Sequence, residues 1–327
     1  MNLPHSPSHF IGIDVSKDSL DLCLLSQKGV LSFPNSKKGW KALFKRFSSF
    51  FPSSLVVLEA TGGYEKGILE FLVSHSVPVH RADARKVKFF VRSLGKIAKT
   101  DALDAYYLAL YSKARYDTLP LYALPSKPLS DLRDLVSRRK DIVDHLAQEK
   151  TKLSKPSLNP TIAKSIARII AILQKEKENI EALIKSLLNA SPELKQKYLI
   201  LLSVPGIGHV MAVSLLAFLP ELGQCSRKSI ASLAGLAPHP KDSGNHSGYR
   251  STAYGGRRFL AHLLHMAALT ASKSLSTLGT FYRDMILRGK KHLVALTALK
   301  RKIVVIANAR LRDSFFLNTQ LSSSFSA

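Results

Sequence analysis

Between Phe10 and His80 the chain alternates short apolar runs with longer amphipathic stretches, and this rhythm restricts it to a layered α/β fold. FIGIDVS (10–16), LDLCLL (20–25) and VLSF (30–33) are short and separated by turn-forming residues, so they read as consecutive strands of one sheet. A helix near 39–51, a strand at 55–59, a helix near 64–75 and a strand at 77–80 follow. Strands that alternate with helices bury a sheet beneath helical layers. After residue 100 the pattern turns helical, and the two prolines of KPSLNPT (155–161) break it.

From 162 to 188, Ile162, Ile166, Ile169, Leu173, Ile180, Leu183 and Leu187 alternate steps of four and three, with Glu176 taking one seam position. This is a heptad pattern and predicts a coiled-coil arm. Ile170, Ile184 and Leu188 widen the stripe as they would on an ordinary amphipathic helix packed on its own domain. The predicted organisation is an α/β domain over 1–127, a helical linker or dimerisation arm over 128–192, a mainly α-helical domain over 193–315 and a disordered tail over 316–327.

The chain has 48 Lys and Arg against 23 Asp and Glu, a formal net charge of +25. Such a surplus suits nucleic acid or an anionic membrane surface. The longest apolar runs, AVSLLAFL (212–219) and VVIANA (304–309), fall far short of the roughly 20 residues that span a bilayer. The opening MNLPHSPSHF lacks a charged segment followed by an apolar one, so the expectation is a cytoplasmic protein without a membrane partner. Cys23 and Cys225 form no CxxC pair, which gives no support to structural zinc or a disulfide framework. With 327 residues and 46% hydrophobic content, the chain can bury ample core in two domains.

Against this basic background four carboxylates stand out. Asp14 lies among Ile11, Ile13 and Val15, where a charge is costly unless it is paired or coordinates a metal. Glu59 closes the apolar run SLVVLE before the turn ATGG, and ligand sites in open α/β sheets form at the C-terminal ends of strands. Asp101 and Asp104 are three apart at the start of a helix and share a face, with Cβ atoms roughly 5–6 Å apart. Singly, each has an ordinary explanation: an exposed edge position, a solvated strand end, or acids complementing a helix dipole. Together they could converge above a sheet, where two Mg²⁺ ions about 3.5–4 Å apart would clamp the attacking and leaving oxygens of a phosphodiester. Mg²⁺, or Mn²⁺ in its place, suits a site made of oxygen ligands.

Arg85, Lys88, Arg92, Lys96 and Lys99 recur at steps of three and four between Glu59 and Asp101. If helical throughout, they make one basic stripe for phosphates leading to the acids, although Gly95 interrupts it. In the second half, VPGIGHVMAVSLLAFL reads as a turn followed by a helix, which either presents amides to a phosphate or joins two packed helices. A Gly/Ser/Pro-rich loop then carries Ser243, Ser247, Arg250 and Ser251, and Arg257 and Arg258 open the next helix. A loop serine usually caps or turns, and it is a poor nucleophile without activation.

GIDVSK around Asp14, EATGGY around Glu59, KTDALDA around Asp101 and Asp104, SVPGIG, and LAGLAPHPKDSG occur in this order. The set resembles the DEDD-type transposases of the IS-one-ten insertion-sequence family and the related Piv-type DNA invertases, over nearly the whole chain. The resemblance implies an N-terminal RuvC-like (RNase H-like) domain joined through a coiled coil to a C-terminal transposase domain. It implies metal binding by Asp14, Glu59, Asp101 and Asp104, and a serine nucleophile, Ser243, that forms a covalent phosphoserine intermediate with DNA. Ser247, in the divergent GNHSGYRS, is the alternative nucleophile. It further implies double-stranded donor and target DNA, a structured noncoding RNA that guides their choice, and a homo-oligomer from dimer to tetramer. Arg250, Arg257 and Arg258 join the stripe as nucleic-acid-binding candidates.

Three other readings compete. A RuvC-type junction endonuclease would share the acids and hydrolyse DNA without the serine. GIDVSKDSLDLCLL also resembles the first phosphate hairpin of actin-like kinases, but no second Asp-Gly-Gly loop follows. A non-catalytic nucleic-acid-binding protein would gain nothing from four acids, which would only weaken its binding.

Overall fold

A computed structural model describes residues 6–95, 101–238 and 256–324; the side chains of 101–103, 258 and 315–324 lie outside the described residues. The chain divides into two compact units, 1–124 and 125–327.

The first unit is built on a five-stranded sheet. Strands β1 (His9–Val15), β2 (Ser19–Leu24) and β3 (Leu31–Pro34) form an antiparallel meander, and helix α1 (Lys37–Phe47) follows. Strand β4 (Ser54–Glu59), helix α2 (Lys66–Ser74) and strand β5 (Val79–Ala82) then add two strands parallel to β1, giving the order β3-β2-β1-β4-β5. Helices α3 (Ala84–Ser93) and α4 (Asp101–Arg115) complete the unit.

Side-chain alternation sorts the two faces. Ile11, Ile13, Leu20, Leu22, Val56 and Leu58 pack with Leu43 and Phe47 of α1 and Ile68 and Leu72 of α2. Leu55, Val57 and Ala82 face the other way, onto Val87 of α3 and Leu108 and Tyr111 of α4. The large apolar residues are fully enclosed, and each contributes about 1.5–3 kcal/mol.

Gly12 explains how α4 comes so close to β1. A Cβ there would lie 2.1 Å from the Ala105 carbonyl oxygen and 2.4 Å from the Ala109 amide nitrogen, so the helix crosses the strand in backbone contact. Its direction is fixed farther along, where the buried Ser112 hydroxyl donates to the Leu55 carbonyl at 3.2 Å and the Phe10 and Tyr116 rings lie 5.9 Å apart. The C-terminal half of α4 therefore sits over the beginnings of β1 and β4, and its N-terminus points at their ends.

The second unit is helical among its described residues: α5 (Lys127–Leu153), α6 (Pro160–Ala190), α7 (Pro192–Leu202), α8 (His209–Phe218), α9 (Arg227–Leu233), α10 (Arg258–Ser272), α11 (Thr277–Leu287) and α12 (His292–Ser324). Helices α5 and α6 pack on each other, burying Leu132, Val136, Ile142 and Leu146 with Ile166, Ile170, Ile180, Ile184 and Leu188. The expected heptad seam is thereby divided: Ile166 and Ile180 face the core, whereas Ile162, Ile169 and Leu183 are exposed together with Ile172. No helix among the described residues is long and apolar enough to cross a membrane.

Gly206 of the PGIG turn has φ +88, and a Cβ on it would meet the Ala267 carbonyl of α10 at 2.5 Å. This glycine thus serves close helix packing. Past α9, Gly256 (φ +76) lies against the backbone of Gly235, and the Arg257 amide donates to the Leu233 carbonyl at 2.9 Å.

Candidate active site

Strand register brings the first two acids together. The parallel β1–β4 ladder pairs Gly12 with Val57 and Ile13 with Leu58, so Asp14 and Glu59 emerge side by side at the strand ends. Both lie on the face that Gly12 and Val57 present to α4, and both are half-buried. Asp104 is half-buried on the first turn of α4, next to the Ala105 carbonyl that rests on Gly12. Asp101 begins the same helix, with its side chain outside the described residues. Asp21 sits directly opposite Asp14 across the β1–β2 ladder, an acid the sequence did not single out. Two carboxylates so placed repel each other.

Among the described residues, no three His, Cys, Asp or Glu side chains form a ready-made metal site. The donor set still fits a hard cation, because Mg²⁺ keeps several waters and binds through one or two carboxylates plus substrate phosphates. Asp14, Glu59 and Asp104 are the described residues that would hold it, with Asp101 as the fourth acid.

The turn after Glu59 is held by a residue that sequence reasoning missed. Glu65 is completely enclosed; one carboxylate oxygen accepts from the amides of Thr61 (3.2 Å) and Gly63 (2.8 Å), and the other accepts from Arg81 Nε (3.0 Å) and Nη2 (2.5 Å). Burial alone would raise its pKa, but Arg81 and the backbone donors outweigh burial and hold it below the ordinary carboxylate value. Gly62 (φ +71) and Gly63 (φ +116) supply the left-handed backbone the turn needs. Next to a helix start, Glu65 looks like a dipole charge, and only the fold brings Arg81 to it.

Of the expected basic stripe, Arg85, Lys88 and Arg92 are exposed on α3. That helix ends at Ser93, followed by Gly95 at φ +71, so α3 does not extend through the stripe. Lys96 and Lys99 lie outside the described residues, as do Ser243, Ser247, Arg250 and the Arg258 side chain. Arg257 has an internal engagement that the sequence did not suggest. Its guanidinium makes a two-pronged ion pair with Glu221 (2.6 and 2.7 Å) and donates to the Phe218 carbonyl at 2.5 Å.

A mixed sheet in the order 3-2-1-4-5, with acids at the ends of its two central strands and on the helix crossing them, defines an RNase H-like domain of the DEDD nuclease class. Residues 11–156 match the transposase family described as DEDD_Tnp_IS110, and residues 198–283 match the transposase IS116/IS110/IS902 family. The chain belongs to this family of transposases, enzymes of DNA recombination. It is 27% identical over 313 residues to the pilin gene-inverting proteins of Moraxella lacunata and Moraxella bovis, covering 93% of this chain and 96% of each of theirs. It is 28% identical over 182 residues to the insertion element IS110 uncharacterized 43.6 kDa protein of Streptomyces coelicolor, covering 55% of this chain and 44% of that one.

Proposed function

We propose that this protein cuts and rejoins double-stranded DNA through a covalent phosphoserine intermediate, as the transposase of an insertion sequence. The observation that carries this reading is the convergence of Asp14, Glu59 and the start of α4 at one edge of the sheet. In this reading those acids and Asp101 hold divalent metal beside the scissile phosphate. Bound Mg²⁺ would supply Lewis-acid stabilisation of the charge that develops on the phosphate oxygens.

Ser243 is the proposed nucleophile. Its hydroxyl oxygen forms a bond to phosphorus, the bond to the leaving strand's oxygen breaks, and the hydroxyl proton ends on that oxygen. The seryl ester keeps the phosphodiester's energy for the rejoining step, which hydrolysis would lose. Arg85, Lys88 and Arg92 hold the nucleic-acid backbone, and a structured noncoding RNA selects donor and target. The exposed face of α6 joins protomers into a dimer or tetramer, in which 128–192 acts as the arm.

The test is a strand-transfer assay in Mg²⁺ with flanking element DNA and the RNA it encodes, comparing wild type, Asp14→Ala and Ser243→Ala on a denaturing gel. A protein–DNA adduct lost in both variants supports the reading. Cleavage that survives Ser243→Ala without an adduct identifies a hydrolytic RuvC-like nuclease, and an adduct that persists only until Ser247 is also replaced moves the nucleophile there. One observation favours a second outcome, inversion of a segment between two sites: the match covers 96% of the pilin gene-inverting proteins but 44% of the IS110 protein. A substrate carrying inverted sites on one plasmid distinguishes the two products.

A further inference from the structure

We propose that Asn35 is a positioning residue for the acidic centre, setting the separation between Asp14 and Glu59 by tying together the two chain segments that follow them. The inference rests on reading Asp14 and Glu59 as metal-binding acids.

Beyond the pair Ile13–Leu58, β1 stays paired with β2 through Val15, while β4 closes at Glu59 and enters the ATGG turn. Asn35 joins the two segments again. Its side-chain amide donates to the Ser16 carbonyl at 2.8 Å and to the Tyr64 carbonyl at 3.2 Å, two residues past Asp14 and five past Glu59. Its own amide donates to the Asp18 carbonyl at 2.9 Å, which fixes the backbone from which the carboxamide reaches. The remaining oxygen accepts from the Trp40 indole at 2.9 Å, so the carboxamide is held in one orientation.

Trp40 is itself wedged. A Cβ on Gly67 of α2 would fall 2.3 Å from its ring, so the indole occupies space that only a glycine leaves open. On the far side of the turn, Glu65 and Arg81 hold Thr61 and Gly63. The Tyr64 carbonyl is therefore a fixed point, and the bond from Asn35 transmits that position to the segment after Asp14. A single carboxamide with two donors and an acceptor fits this task, and neither aspartate nor leucine of the same size can do it.

Calorimetric titration of the full chain with Mn²⁺ tests the proposal. Asp14→Ala is expected to abolish binding, and Asn35→Ala to weaken it about tenfold, as replacement of groups that orient metal ligands commonly does. Asn35→Asp is the decisive variant. It keeps the shape and the Trp40 bond but cannot donate to Ser16 or Tyr64, and its added negative charge would by itself tighten cation binding. Weaker Mn²⁺ binding by Asn35→Asp supports positioning; affinity equal to or above wild type overturns it. Trp40→Phe, which leaves the carboxamide unheld, should weaken binding in the same direction by less. A purely structural role would lower the melting temperature and leave the Mn²⁺ affinity of the folded protein unchanged, also overturning the proposal. If Asn35→Ala does not fold, Asn35→Asp gives the answer. If Asp14→Ala binds Mn²⁺ like wild type, the metal reading itself fails, a result distinct from retained affinity in the Asn35 variants alone.

Discussion

At the scale of single residues, burial separates the acid that holds the ATGG turn from the acids at the strand ends. Glu65 is sealed beneath Arg81 and the turn amides, whereas Asp14 and Glu59, at the ends of β1 and β4, and Asp104, on α4, are half-buried. Because the folded pKa of Glu65 is lowered, its contribution is fully present above the unfolded carboxylate pKa and is lost as pH falls through the lowered folded value. Arg81→Met should destabilise the protein by about 3 kcal/mol, since it strands a buried carboxylate. The deficit should shrink in acid, because without Arg81 the variant's Glu65 protonates before the wild type's does, and urea unfolding at neutral and at acid pH measures both effects. Asp21→Asn, which removes a like charge opposite Asp14, should raise stability in EDTA by about 0.2–1 kcal/mol; thermal unfolding in EDTA checks the sign. The strand positions of Asp14 and Glu59 were legible in the sequence because each acid sits within or closes an apolar run, although singly each has an ordinary explanation. Glu65 and Arg257 were not, because each partner is supplied by a distant segment: Arg81 on β5, and Glu221 beyond α8.

The strands and helices of the α/β unit were legible from period and turns, but what brings the acids to one place was not. That depends on Gly12, which a sequence displays only as a glycine inside a strand. Gly12→Ala should push α4 off β1, costing about 1–3 kcal/mol in thermal unfolding and moving Asp104 away from Asp14. Helix α6 shows a different limit. Its period announced an apolar stripe, yet periodicity alone does not say which part α5 will cover, and the structure leaves Ile162, Ile169, Ile172 and Leu183 outside. If this face joins protomers as proposed, Ile169→Glu with Ile172→Glu should abolish self-association in light scattering without lowering the melting temperature, because both side chains are exposed on their own unit. A lowered melting temperature with unchanged mass would show the face to be intramolecular.

For the whole molecule, the surplus of 25 positive charges makes the salt response of binding its most direct signature. A protein engaging about 6–10 phosphates should lose affinity for duplex DNA with a logarithmic salt slope near −0.9 per contact, and Lys88→Glu with Arg92→Glu should flatten that slope by roughly two contacts. Fluorescence anisotropy across a NaCl series measures it; a slope unchanged by the double variant would place the contacts elsewhere. The touching backbones of Gly235 and Gly256 carry a consequence of another kind. A Cβ on Gly256 would fall 2.1 Å from the Gly235 amide nitrogen, so the two segments that follow α9 and precede α10 are locked at a distance no side chain permits, and the junction tolerates drift in neither glycine.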